Sequence, residues 1–311
     1  MKGIGVANWA SLNYDGSLIA FGNSLRHNRG ITLYDVQSQT SCVIWDNKKY
    51  ALGVAFHPSN ADYIACCDVD NIGLVNWREQ KVLFNLSFER NFASGIEFSD
   101  DGSKIYFIHS FFPEDKTPQD WDINKKGPYC ISEILIIDIE TKEVEDRIFL
   151  DNGIVHGTDF EIKHSLVALR YVGGKAEIWD LNKKICIQAV SHPHSSNCVI
   201  FVDEKTFLTE GLPTSDFDNV IMWDIATGKK IKQFNVHQME LLGMGIICDK
   251  SGNKYVLSGN QHRLAKLWSL DTGKVIWSKR YGGDVKVATS GDCRRGVIRT
   301  EKEPVIVDFN F

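Results

Sequence analysis

Val220–Phe234 reads VIMWDIATGKKIKQF, Ala265–Lys279 reads AKLWSLDTGKVIWSK, and Ala176–Val190 reads AEIWDLNKKICIQAV. Each copy has an apolar run, a Trp, an Asp or Ser, a polar turn and a second partly apolar run. Period-2 alternation around a turn rich in Asn, Gly and Lys is the pattern of two antiparallel strands. Weaker copies are ITLYDVQSQTSCVIW from Ile31, IGLVNWREQKVLFNL from Ile72, ILIIDIETKEVEDRI from Ile134 and PVIVDFNF from Pro304. Aligned at the Trp position, the seven copies centre on Tyr34, Val75, Ile137, Trp179, Trp223, Trp268 and Val307, with spacings of 41, 62, 42, 44, 45 and 39 residues. One interval apart, that is the 40–45-residue period of four-stranded propeller blades.

A second pair of strands precedes each marked pair. NWASLNYDGSLIAFG (Asn8–Gly22), GVAFHPSNADYIACC (Gly53–Cys67) and SGIEFSDDGSKIYFI (Ser94–Ile108) are apolar runs around Ser/Asp/Gly or Pro turns, and looser versions start at Gly157, Asn197, Gly243 and Val285. Such runs predict hairpins. Strands apolar on both faces, such as Ile134–Ile137, suit sheets stacked face to face. The expectation is therefore an all-β, seven-bladed propeller of four-stranded antiparallel blades in a single domain, 1–311.

Composition narrows the function classes. The chain has 311 residues and a net charge of −5, which argues against a dedicated nucleic-acid binder. The N-terminal MKGIGVANWASLNYDG lacks the apolar core of a secretory leader, and no run approaches the roughly 20 residues that span a bilayer. Membrane association is not expected. The eight cysteines have no metal-ligand spacing and lie mostly in apolar runs. They read as reduced, buried thiols of a cytoplasmic protein rather than the disulfides of a secreted one.

Trp179-Asp180, Trp223-Asp224 and the turn Ser99-Asp100-Asp101-Gly102 resemble WD40 repeats over essentially the whole chain, although the Gly-His pair that opens many such repeats is missing. The resemblance implies a buried Asp–His–Ser/Thr–Trp hydrogen-bond network. In blade six, His237, Ser258 and Trp268 match three members, with Asn260 near the place of the Asp. In blade five, His192 or His194, Thr209, Asp218 and Trp223 are the candidates. The resemblance also implies closure of the ring by the N-terminal segment. Here only Met1–Gly5 are left over, so the last blade either closes with a very short strand or stays incomplete. Connections between second and third strands emerge, in such rings, on one face, the top. The 62-residue interval reflects an insertion there in blade three, Ser110–Ser132, with smaller extensions at Asn23–Gly30 and Glu210–Asn219.

Candidate chemistry is sparse. His192 and His194 form an H-x-H pair with no further ligand beside it, and no nucleophile elbow, zinc-binding H-E-x-x-H or P-loop occurs. Asp100-Asp101 sits in a hairpin turn, where solvated turn residues are expected. LDTGKVIW (Leu270–Trp277) resembles part of a quinoprotein docking motif but occurs once, and D-x-T-G-K recurs as a plain turn. Arg294-Arg295-Gly296 resembles the signature of phosphoinositide-binding propellers but occupies the tip of a hairpin, a different place. The top-face loops carry Arg26, His27, Arg29, Tyr50, Arg90, Phe92, Phe111, Phe112, Trp121, Tyr129, His156, His262 and Arg263, residue types enriched at interface hot spots. The reading is a non-enzymatic scaffold or adaptor that binds a protein or peptide, as a subunit of a complex, with no catalytic residue, metal or cofactor. The rivals are a lactonase-like hydrolase with a channel metal, a phosphoinositide-binding propeller, and the sensor part of an assembly with a separate effector.

Overall fold

The computed structural model describes residues 10–25, 28–45, 51–88, 91–111, 130–150, 153–191, 198–210, 220–237, 240–300 and 305–309. It is an all-β, seven-bladed propeller with six four-stranded antiparallel blades and a three-stranded seventh. Blade one contains β1 (Ala10–Leu12), β2 (Leu18–Leu25), β3 (Asn28–Asp35) and β4 (Thr40–Trp45), and blade two β5 (Ala51–Phe56), β6 (Tyr63–Asp68), β7 (Asn71–Asn76) and β8 (Lys81–Ser87). Blade three contains β9 (Asn91–Phe98), β10 (Lys104–Phe111), β11 (Ile131–Asp138) and β12 (Glu143–Leu150). Blade four follows with β13 (Val155–Glu161), β14 (Leu166–Tyr171), β15 (Lys175–Asp180) and β16 (Ile185–Ser191). Blade five has β17 (Val199–Phe201), β18 (Thr206–Glu210), β19 (Val220–Asp224) and β20 (Lys230–Phe234); blade six has β21 (Leu241–Cys248), β22 (Lys254–Asn260), β23 (Leu264–Ser269) and β24 (Val275–Arg280). Blade seven has β25 (Lys286–Thr289), β26 (Arg295–Arg299) and β27 (Val305–Asp308). The segment expected to close it, Met1–Gly5, lies outside the described residues.

The Asp of the repeated stretch has a local task. Asp35, Asp138, Asp180 and Asp224 each accept, through Oδ1, the backbone N–H three residues on, at 2.7–2.8 Å, and Asn76 and Ser269 do the same at 3.1 Å. A side chain that satisfies the turn's own N–H fixes where the third strand ends and the fourth begins. At the aligned Trp position a β-bulge interrupts the pairing of third and fourth strands in blades two to six. Bulges of this kind bend and twist the outer strand.

The residues form two compact units, one within 20–34 and 41–157 and the other within 10–19, 35–40 and 158–311. In the first, the facing sides of blades two and three form a core of Ala55, Ile72, Leu74, Phe98, Ile105, Phe107, Leu135 and Ile137. In the second, Trp268 is fully buried and packs on Phe234 of the preceding blade at 4.9 Å, within a core that includes Leu208, Val220 and Val256. Third strands are more buried than fourth strands, as β23 and β24 illustrate. Second and third strands thus carry the packing, and their shared ends are the points from which the long connections leave.

Candidate interaction loops and their roots

The insertion in blade three leaves the sheet intact. β10 and β11 stay paired from Lys104↔Asp138 out to Phe111↔Ile131, and Ser110 is the register partner of Ser132. The inserted stretch is therefore 112–130, narrower than the Ser110–Ser132 expected from the sequence. Its root is a chain of buried hydroxyls. Ser110 Oγ donates to Ser132 Oγ (2.6 Å), which donates to the Gly153 carbonyl (2.6 Å), while the Val155 N–H donates to Ser110 Oγ (3.3 Å). The Ser94 hydroxyl donates to the Val155 carbonyl at 2.7 Å. The Cys130 thiol caps the Phe111 carbonyl at 3.2 Å, and burial pushes that thiol up to about 12.

On one face of β10, alternation lines up Phe107, His109 and Phe111. His109 stacks on Phe107 at 5.1 Å and on Phe111 at 5.4 Å, and Phe88 from the neighbouring blade meets it at 5.5 Å. His109 Nε2 lies 2.8 Å from Glu133 Oε1, directly across the strand pair, and Arg147 Nη1 donates to the same oxygen at 2.8 Å. Glu133 is 1% exposed. Burial alone would raise its pKa, but the hydrogen bonds and charges of His109 and Arg147 outweigh that and hold it below the usual value. Its second oxygen, Oε2, is buried without a hydrogen-bond partner among the described residues. Sequence reasoning missed this trio because its members stand far apart in the chain. The available signal was a lone Glu in the apolar run ISEILIID.

Blade five repeats the arrangement in the other unit. Glu210 ends β18 where the segment 211–219 begins; it is fully buried and its Oε1 accepts the Leu241 N–H at 2.8 Å. Arg170, also fully buried, reaches the Glu210 and Gly174 carbonyls, and burial draws its pKa down to about 10.

The network expected in blade six is present. The Asn260 carboxamide oxygen accepts the N–H groups of His262 and Leu264, both at 3.0 Å, so its NH2 faces His237 Nδ1 (3.1 Å) and donates to it. His237 Nε2 then carries the proton and donates to Ser258 Oγ (2.8 Å), which also accepts the Trp268 indole N–H (3.0 Å) and donates to the Lys266 carbonyl (3.4 Å). Burial, helped by the nearby Lys266 charge, lowers the His237 pKa to about 3 and keeps the ring neutral. In blade five the Trp223 indole donates to Thr209 Oγ1 at 2.8 Å, as expected, while His192, His194 and Asp218 lie outside the described residues. Blade four uses a carboxylate instead: Glu177 Oε2 accepts both the Trp179 indole (2.9 Å) and the Tyr171 hydroxyl (2.8 Å). All three networks hold strands together.

Among the top-face candidates, Phe111 ends β10, half-buried, at the root of the insertion. His262 and Arg263 are exposed at the tip of the β22–β23 turn, where Arg263 adopts a left-handed φ of 66°. His156 lies half-buried in β13. Arg29 and Phe92 belong to β3 and β9, but their side chains lie outside the described residues, as do Arg26, His27, Tyr50, Arg90, Phe112, Trp121 and Tyr129. Arg295 of the Arg-Arg-Gly turn is engaged within the fold, donating to Asp308 Oδ1 and the Gly16 carbonyl, both at 2.6 Å. The cysteines divide evenly: Cys66, Cys67, Cys130 and Cys198 are buried, whereas Cys42 and Cys186 are exposed and Cys248 and Cys293 intermediate. The sequence expectation of mostly buried thiols fails for that second group: Cys42 and Cys186 lie on outer strands, Cys293 at a turn tip and Cys248 at the end of the inner strand β21. Among the described residues no group of three or more His, Cys, Asp or Glu side chains could hold a metal ion, and no helix is long and apolar enough to cross a membrane. No model of a known protein family matches the chain, and no curated protein sequence matches it.

Proposed function

We propose that this propeller is a non-enzymatic platform, WD40-like in character, that binds a protein or peptide through the segments joining second and third strands, as a cytoplasmic subunit of a larger complex. The supporting observation is the way those segments are rooted. In blade three and in blade five, the strand ends that carry the long segments are pinned by buried polar groups, Ser110–Ser132 and Glu210. A rigid root under an irregular segment is the usual construction of a recognition loop. The polar groups with pronounced burial, His237, Glu177, Glu133 and Glu210, are occupied in holding strands.

Affinity capture from a lysate with the wild-type chain, and with a His262→Ala/Arg263→Ala variant, tests the reading. Loss of a specific partner with an unchanged unfolding midpoint supports it. Identical partners for that variant and for one trimmed at 113–129 overturn it, as does a stoichiometric metal ion in the purified protein together with hydrolytic turnover.

A further inference from the structure

Four first-hairpin turns share one chemistry. In blades one, three and six the left-handed position is a glycine: Gly16 (φ 67°), Gly102 (φ 74°) and Gly252 (φ 83°). Each donates its N–H to the carbonyl three residues back, at 2.9–3.1 Å. The turn of blade seven copies that of blade three bond for bond. Ser290 Oγ donates to Asp292 Oδ1 at 2.6 Å, as Ser99 Oγ does to Asp101, and the Cys293 N–H reaches the Ser290 carbonyl at 2.9 Å, as Gly102 reaches Ser99. Here, however, the left-handed residue is Cys293, at φ 58°. A side chain is disfavoured in that region; blade four also places one there, Ser165 at φ 53°, so the informative feature is what the Cys293 side chain meets.

The side chain that replaces hydrogen meets a second cysteine. The Cys248 N–H donates to the Cys293 carbonyl at 2.7 Å, and the two thiols lie near enough for Cys248 to disfavour ionisation of Cys293, while Cys293 Sγ reaches the Gly291 carbonyl only at 3.9 Å. Standard bond lengths around the backbone hydrogen bond keep the two Cα atoms within about 6.5 Å, inside the range a disulfide spans. Cys248 also lines a cleft of about 590 Å³, with Asp249, Asp292, Arg294 and Arg295 among its walls.

We propose that Cys248 and Cys293 form a reversible disulfide that joins blade six to blade seven when the protein meets a peroxide. Cys248 lines the open cleft and Cys293 does not, so the first attack falls to Cys248. Its thiolate attacks one oxygen of hydrogen peroxide; the O–O bond breaks, the leaving hydroxide takes a proton to become water, and Cys248 becomes a sulfenic acid. The Cys293 sulfur then displaces the second oxygen as water and its proton leaves with it, so two thiols and one peroxide give one disulfide and two waters. Thiol reductants reverse the step.

Peptide mapping tests this. The full chain is treated with hydrogen peroxide, alkylated in denaturant and digested by trypsin without reduction. The expected product is Gln233–Lys250 linked to Val287–Arg294, lost on treatment with dithiothreitol. A Cys293→Gly variant, which restores the residue used in the sister turns, is expected to fold normally, to give no linked peptide and to carry oxidised Cys248. Recovery of Cys248 and Cys293 as separate alkylated or over-oxidised residues in the wild-type chain overturns the proposal, as does an equal yield of other cysteine pairs.

Discussion

Blade six and blade three build a buried histidine into the same kind of sheet, with different results. In blade six, His237 is one link in a hydrogen-bonded chain that runs from Asn260 through His237 to Ser258, where the Trp268 indole also donates, and the turn that follows is short. In blade three, His109 faces a carboxylate that also takes Arg147, the other oxygen of that carboxylate has no hydrogen-bond partner among the described residues, and 112–130 is inserted in the chain beside it. The first histidine is kept neutral by burial. The second belongs to a charged cluster under an aromatic ladder. The lesson is that this repeat tolerates either polar solution at a strand end, so an inserted segment needs only a firm root.

The comparison can be broken by changes in either blade. The largest effect is expected from Trp268→Ala, which empties a fully buried site and strands Ser258; a cost of about 3–5 kcal/mol should appear as a lower urea midpoint. Glu133→Ala removes the acceptor shared by His109 and Arg147, and a loss of roughly 2–4 kcal/mol follows from leaving buried polar groups unpaired. Glu133→Gln should recover part of it. A midpoint unchanged by Glu133→Ala would mean that the trio contributes nothing to the root.

A smaller effect is the pH dependence that His237 confers. His237 has its folded pKa lowered from 6.5 to about 3. The unfolded chain therefore binds the extra proton first, and the neutral ring's contribution is complete above pH 6.5 and lost as pH falls toward 3. Between pH 6.5 and 5.5 the loss is about 1 kcal/mol. Asn260→Asp places a carboxylate against Nδ1, favours the imidazolium and should flatten this slope, as followed by urea titrations at each pH. If the slope is the same in both proteins, His237 does not set it.

Much of the fold was legible because the repeat carries its own turn chemistry: the Asp after the Trp position and the Asp-x-Gly hairpins mark strand ends within a residue or two. The blade-six chain could be read, Asn260 included, from the resemblance to WD40 repeats. The roots could not. Glu133 and His109 lie in runs that look uniformly apolar, and their meeting depends on β10 and β11 pairing across 112–130. Glu177 replaces a hydroxyl beside Trp179, and Glu210 is buried by a backbone N–H from the next blade; neither partner is implied by spacing. The candidate site itself stays mostly a sequence expectation, with Phe111, His156, His262 and Arg263 as its described members.

The smallest stability effect and the largest functional one should coincide in a single variant. Replacing 113–129 with a short Gly-Ser linker keeps β10, β11, Cys130 and the serine chain. Loop-closure entropy changes by less than about 1 kcal/mol for such an edit. Measured side by side, the variant's unfolding midpoint should match wild type while its captured partner is lost. A midpoint that falls by several degrees would show the segment to be part of the folded core, and a partner fully retained would place recognition elsewhere; either result contradicts the account.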